Sequence, residues 1–340
     1  MLKFPFEIND ISDALNRTLL DYFKGERDGF VQVGPSKYFF PKQFKKNAES
    51  YYNFQARPSD IWVSTFPRSG TTWTQELVWL IGNNLDFERA KNELLTSRFP
   101  FFEFNTFMHP QVKQELLQAN KYDEEHQNFI HRISQSIIPY LDGMSEQRFI
   151  KTHLPLSLMP PSVFQENSKI IYVARNPKDV ALSYYHLNRL YKTQGYIGEF
   201  EFYWRIFKTG LNAWLPYWDH LEEAWGRRTD PNILFIFYEE MNNDIRKTIN
   251  RISSFMGRSY SKEQVEQLAE HLNIKSFKCN NSVNGLEMRK VKILNEREGD
   301  FIRNGIINGS DYELTPELQK EMNKWISENL EKSGIIFPDF

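Results

Sequence analysis

Two short stretches hold most of the side chains able to do chemistry in this 340-residue sequence: Arg68-Ser69-Gly70-Thr71-Thr72-Trp73 and Lys151-Thr152-His153-Leu154-Pro155. The first is rich in hydrogen-bond donors. At the start of a helix, unpaired N–H groups and a partial positive charge make a natural anion site. Gly70 lets the backbone approach an oxygen closely, the hydroxyls of Ser69, Thr71 and Thr72 add donors, and Arg68 adds charge. The plainer alternative is a turn whose serine or threonine merely caps a helix. In the second stretch, the His153 imidazole titrates near neutrality and can take a proton from an incoming hydroxyl. A lone histidine can equally be structural. Arg175 and Ser183 form a third set, either gripping a second phosphate beside the first or serving as a turn residue and a solvent-facing helical serine.

Other chemistries are disfavoured by the same residues. The loop has one glycine and no lysine behind it, so it is not the G-x-x-x-x-G-K-[ST] loop of nucleotide hydrolases. A nucleotide or sugar kinase is therefore a distant alternative, although a phosphate-bearing ligand is not. His186 and His271 fall on predicted helices, and His109, His126, His131 and His220 in polar or irregular surroundings. None has metal-ligand spacing, and the single cysteine, Cys279, rules out a Cys-rich zinc site, so no metal is expected. Cys279 itself is expected to be a packing residue.

The elements that position these groups alternate between short β-rich runs and longer amphipathic ones. That pattern predicts an α/β protein with a central, mostly parallel sheet flanked by helices. Strands are expected at Ile61–Thr65, Lys169–Ala174 and Ile233–Phe237, with a shorter one at Arg148-Phe149-Ile150 just ahead of Lys151. Leu77, Leu80 and Ile81 predict a helix after the first loop. Arg175-Asn176-Pro177 opens another, running through Ser183 and Leu187. Ser261 with Gln264 has capping-box spacing, and Thr315-Pro316 fits an N-cap and first helical position. Residues 88–147 are the least regular. Their phenylalanines (Phe99, Phe101, Phe102, Phe104, Phe107) suit either a hydrophobic cover on a pocket or a peripheral helical excursion with ordinary core aromatics.

Composition sets the outer bounds. With 40% hydrophobic residues the chain can fill one large core or two modest ones, and a single domain over 1–340 is the expectation. Forty-two basic against 44 acidic residues leave a net charge of −2, which argues against a nucleic-acid groove. The first residues lack a secretory pattern, and no apolar stretch approaches the ~20 residues of a membrane span. One cysteine cannot form an internal disulfide, which favours a reducing compartment. A cytoplasmic protein is expected, and the Asn-x-Ser/Thr triplets at Asn16, Asn280 and Asn308 are read as chance matches.

Taken in order, FPRSGTTW, KTHLP, ARNPKDVALSYYH, FYEEM and FIRNG resemble the cytosolic sulfotransferase family, with phrasing closest to its insect-type members. The resemblance runs from about Phe30 to Trp325. It implies a strand-loop-helix site for 3′-phosphoadenosine 5′-phosphosulfate (PAPS), with 3′-phosphoadenosine 5′-phosphate (PAP) as product, and a small, largely apolar hydroxyl acceptor such as a phenol, sterol or other alcohol. By the same resemblance, Arg68 to Trp73 would hold the 5′-phosphosulfate, with Trp73 beside the adenine. Arg175 and Ser183 would bind the 3′-phosphate, Tyr238 would hydrogen-bond the adenine and Phe277 would stack on it. Arg303, Asn304 and Gly305 would close over the 3′-phosphate. His153 would be the general base, and Lys151 would neutralise the transferring group.

Departures from the family pattern are informative. Arg68 stands where the family usually has lysine, keeping the charge but delivering it as a planar fork. Asn304 replaces a lysine, and Asn308, Gly309 and Ser310 fall where the family has Gly-Asp-Trp, which implies weaker donor affinity. The family's dimer signature reads here as Asp311-x-x-x-Thr315-Pro316-x-x-x-Lys320, with both charges inverted, so a monomer or a different dimer is expected. Two further outcomes stay open: a dehydratase acting through a transient sulfate ester of an allylic alcohol such as a retinoid, and a non-catalytic PAPS-binding protein.

Overall fold

The computed structural model of the chain describes residues 2–302 and 314–338. Among the described residues, seven strands form two sheets. β1 (Ile8–Asp10), β2 (Phe30–Val33) and β3 (Tyr38–Pro41) pair antiparallel near the start of the chain. β4 (Ile61–Thr65), β5 (Phe149–Thr152), β6 (Lys169–Ala174) and β7 (Ile233–Phe237) form a parallel sheet in the order β5-β4-β6-β7. This is the expected α/β architecture. The antiparallel sheet is an addition that the sequence reading did not anticipate.

Alternation along the parallel strands divides the core. Ile61, Val63, Ile171, Val173 and Ile236 face one apolar cluster; Trp62, Ile170, Tyr172, Ala174, Phe235 and Phe237 face the other. Both faces are covered, as a parallel sheet requires. Three strands lie at the residues expected. The fourth is shifted: Ser64 pairs with Thr152, so β5 extends to the residue before His153 and carries Lys151 within it.

Helix signals also hold. Thr71–Gly82 follows the first loop, Pro177–Leu190 follows β6, Ser261 and Gln264 close a capping box, and Thr315 caps Pro316–Ser333. Residues 88–147 are largely helical, with Leu95–Arg98, Pro110–Ala119, Glu124–Ile133 and Ile138–Gly143 around a 3-10 turn at Phe104–Phe107. Two expectations are corrected. Cys279 is exposed at the end of its helix rather than packed. His220 is fully buried on the helix Tyr217–Gly226, not in polar or irregular surroundings.

Below the sheet, a buried ion pair ties the first turns of the two site strands together. Arg148 Nε donates to Asp60 Oδ1 at 2.7 Å, and the Ile61 N–H donates to the Arg148 carbonyl at 3.0 Å. Both side chains are almost fully buried. Arg148→Ala leaves the Asp60 carboxylate without its partner, so a loss of about 3–5 kcal/mol is expected. Urea unfolding measures it; a loss below about 1 kcal/mol contradicts the structural role.

Candidate active site

Four parallel strands end side by side, and each hands its next residue to the same edge. β5 delivers His153, β4 the 66–72 loop, β6 Arg175 and β7 Tyr238. β5 and β6 flank β4 on opposite sides, so this edge is a topological switch point, where open α/β sheets form their ligand crevice.

The loop is shaped for an anion. Gly70 caps the helix Thr71–Gly82 at φ 93°, a left-handed conformation, and a Cβ there would lie 2.6 Å from Tyr238 Cδ2. Arg68 is also left-handed, at φ 71°, which costs a non-glycine residue conformational energy. The Ser69 hydroxyl is buried and makes no hydrogen bond among the described residues. Arg68 Nε donates to Ser183 Oγ at 2.9 Å, and its terminal nitrogens donate to the Phe301 carbonyl at 3.3 Å. Arg175 donates to the Arg68 carbonyl at 3.1 Å and lies 4.4 Å over the Tyr238 ring. Ser183 is buried, not solvent-facing.

A cavity of about 560 Å³ runs along these groups. Arg68, Gly70 to Trp73, Lys151, His153, Arg175, Ser183, Tyr238 and Phe277 all line it; Ser69 sits behind the lining. The Trp73 indole is fixed by donation to the Leu272 carbonyl at 2.9 Å. Arg303, Asn304 and Gly305, with Asn308 to Asp311, lie outside the described residues.

His153 is held from several sides. Nδ1 lies 2.7 Å from the Thr65 carbonyl oxygen and 3.1 Å from Thr65 Oγ1. A carbonyl only accepts, so Nδ1 carries the proton and Nε2 keeps its lone pair. The His220 Nε2–H donates to the His153 carbonyl at 2.9 Å, with Nδ1 of His220 facing the Tyr172 hydroxyl at 2.8 Å. Burial, then the neighbouring Lys151 charge, holds the His153 pKa well below the usual histidine value, opposed by the bond to Thr65. The ring is therefore neutral at pH 7. Burial also lowers Lys151 to about 8, with Glu103 opposing and Arg68 adding to the shift.

A second cavity, about 380 Å³, meets the first. Pro67, Thr72, Lys151, His153, Leu187 and Phe301 line both. Its walls include Phe99, Phe101, Phe104 and Phe107; Phe102 instead packs into the core beside Trp62. Residues from Arg132 to Tyr140 line it too, so the 88–147 segment borders the cavity.

Two residues at the junction were not found by sequence reasoning. Trp214 stands 5.1 Å from the His153 ring at 73°. Glu103, fully buried, accepts from the His153 N–H at 2.7 Å, the Thr152 hydroxyl at 2.8 Å and the Trp214 indole at 3.2 Å. Burial pushes its pKa up to about 7. A signal existed for Glu103: it is the one charge inside the aromatic run Phe99 to Phe104. Trp214, distant in sequence, had none.

The Sulfotransferase domain family matches residues 58–334. Luciferin sulfotransferase of Photinus pyralis is 34% identical over 333 residues, spanning 96% of this chain and 86% of that protein. Sulfotransferase 1E1 of Cavia porcellus is 33% identical over 295 residues, spanning 86% and 90%. A crystal structure of retinol dehydratase with androsterone and inactive cofactor PAP superposes with TM-score 0.92 at 36% identity, covering 100% of both chains. Its complex with retinol and PAP gives 0.91 at 36% identity, covering 99% of this chain and 100% of that one.

The Glu103 carboxylate favours the charged form of Lys151. Glu103→Gln removes that charge, so Lys151 is expected to titrate below the parent's value of about 8. Following its ¹³Cε shift with pH checks this; an unmoved or raised midpoint contradicts it.

Proposed function

The chain belongs to the sulfotransferase family, and from that premise we propose that it moves a sulfuryl group from PAPS to the hydroxyl of a small, largely apolar acceptor. The donor lies in the larger cavity and supplies an activated sulfuryl group. The acceptor lies in the aromatic one. The observation that carries this reading is their junction: Lys151 and His153 line both cavities, and the commitment of His153 Nδ1 to Thr65 leaves Nε2 as the proton acceptor.

Roles then follow for each residue. The N–H groups after Gly70, with Thr71, Thr72 and the hidden Ser69 hydroxyl, hold the 5′-phosphosulfate. Arg175 and Ser183 hold the 3′-phosphate together with Arg303, Asn304 and Gly305. Trp73, Tyr238 and Phe277 enclose the adenine. The acceptor hydroxyl gives its proton to His153 Nε2 as its oxygen bonds sulfur and the bond to the bridging phosphate oxygen breaks. Lys151 and Arg68 stabilise the negative charge spread over the sulfuryl oxygens, so transfer needs positioned cations rather than a metal. A neutral imidazole is ready to accept a proton, and a polyanion bound beside it raises its basicity.

The likeness to retinol dehydratase, at 36% identity over the full chain, favours one second reading. An allylic acceptor, once sulfated, loses sulfate and a proton, so the net product is a dehydrated hydrocarbon. Family membership sets the kinase alternative aside. Residues 1–340 are taken as one domain, with 88–147 as a helical insertion bordering the acceptor. Among the described residues no helix is long and apolar enough to cross a membrane. Placement in the cytoplasm rests on the single cysteine.

Two experiments test these proposals. Labelled PAPS is offered with a panel of phenols, sterols, aliphatic alcohols and a retinoid-like allylic alcohol, with product analysis separating sulfate ester from elimination. His153→Ala is expected to lose turnover by ~10²-fold or more while still binding PAP; near-parent turnover refutes the base assignment. Sedimentation is expected to show no dimer through 311–320, and a tight dimer there contradicts the reading of the inverted charges.

A further inference from the structure

We propose that Glu103 and Trp214 are positioning residues for sulfuryl transfer: one buried carboxylate oxygen ties the wall of the acceptor cavity to the backbone of His153, so that an acceptor packed on Trp214 presents its hydroxyl to His153 Nε2. The inference rests on the sulfotransferase reading and deepens it. Glu103 reaches this place by register. The Lys151 N–H donates to the Pro100 carbonyl at 2.9 Å, and the Phe102 N–H to the Lys151 carbonyl at 2.8 Å, so this stretch runs parallel along the outer edge of β5. Phe101 stands opposite Lys151, which sets Glu103 beside His153, two residues further on in each. Glu103 Oε1 accepts from both the His153 N–H, at 2.7 Å, and the Trp214 indole N–H, at 3.2 Å.

Trp214 is held from the other side by the small antiparallel sheet. Its N–H donates to the Phe39 carbonyl at 2.9 Å, and the Phe39 N–H donates to the Leu215 carbonyl at 2.9 Å, so β3 fixes the backbone on which the indole stands. Its φ of 62° is left-handed, a conformation that a non-glycine residue keeps only when its surroundings impose it. The ring is buried and lines the acceptor cavity, with its centroid 4.3 Å from that of Phe107 and 5.1 Å from that of His153. The donors that Glu103 meets are uncharged, a costly setting for a fully buried carboxylate. What the arrangement gives in return is a fixed spacing between wall and base. A slip of about 1 Å between acceptor and base costs on the order of 10²-fold in rate.

The test is a double-mutant cycle on single-turnover transfer from labelled PAPS to the fastest acceptor of the panel, with the acceptor saturating. Trp214→Phe keeps an aromatic wall but has no indole N–H; Glu103→Met keeps the length of the side chain but accepts nothing. Each is expected to slow transfer about tenfold to a hundredfold with PAP affinity unchanged. In the Glu103→Met background, Trp214→Phe is expected to cost less than about threefold, because the bond it removes is already gone. The effect of Glu103 on Lys151 is present on both sides of the cycle and cancels. Losses that multiply, as a mere change in ring size would give, or a parent-like rate for Trp214→Phe, overturn the positioning role alone. Should Glu103→Met lose PAP binding, Glu103→Gln takes its place; the cost of Trp214→Phe is again expected to shrink, and an undiminished cost overturns the proposal. Failure of the parent to sulfate any acceptor overturns the transfer reading with it.

Discussion

The hydrogen bond from His153 Nδ1 to the Thr65 carbonyl, 2.7 Å long, is the interaction on which the rest of the site depends. It spans the ends of two adjacent parallel strands and decides which imidazole nitrogen is left with a lone pair. Taken alone, such a bond contributes about 0.5–1.5 kcal/mol. Here it belongs to a frame. Ser64 opposite Thr152 sets the strand register, Glu103 holds the His153 N–H, and His220 holds its carbonyl. Backbone and ring are fixed from different elements, which is what a proton acceptor needs if its geometry is to survive the arrival of two ligands.

Electrostatically, the junction is prepared for an anion. Lys151 and Arg68 crowd positive charge around a neutral imidazole, and burial works against the Lys151 ammonium. Buried Glu103 offsets part of that cost from behind. Ser69 holds a hydroxyl that no described residue satisfies. A polyanion would relieve these strains together, supporting Lys151 and raising the basicity of His153 as it binds. Lys151, which lines both cavities, also lies 4.2 Å over the Phe101 ring, which lines the acceptor side alone.

Much of this was legible in the sequence, for physical reasons. β4, β6 and β7 are short β-branched and aromatic runs buried on both faces, which gives an unmistakable signal. The helix after the first loop announces itself through the spacing of Leu77, Leu80 and Ile81, and those capped by Ser261 and Thr315 through local capping chemistry. β1 to β3 did not, because strands of three or four residues around Gly34 and Pro41 carry too little alternation to separate from loop. Local pattern left Ser183 open between a phosphate ligand and a solvent-facing helical serine, because only tertiary packing brings Arg68 across to it. Glu103 and Trp214 meet His153 from segments far apart in the chain, a relation no local pattern encodes. Cys279 was misjudged because burial statistics for its residue type say nothing about one particular helix end.

The most direct measurement is ¹⁵N NMR of the His153 imidazole in the whole protein, assigned through His153→Gln and followed from pH 5.5 to 8. The account predicts a neutral ring throughout the upper part of that range, with a pyrrole-type signal for Nδ1 and a pyridine-type signal for Nε2. A proton found on Nε2 instead, or an imidazolium persisting at pH 7 and above, would contradict it.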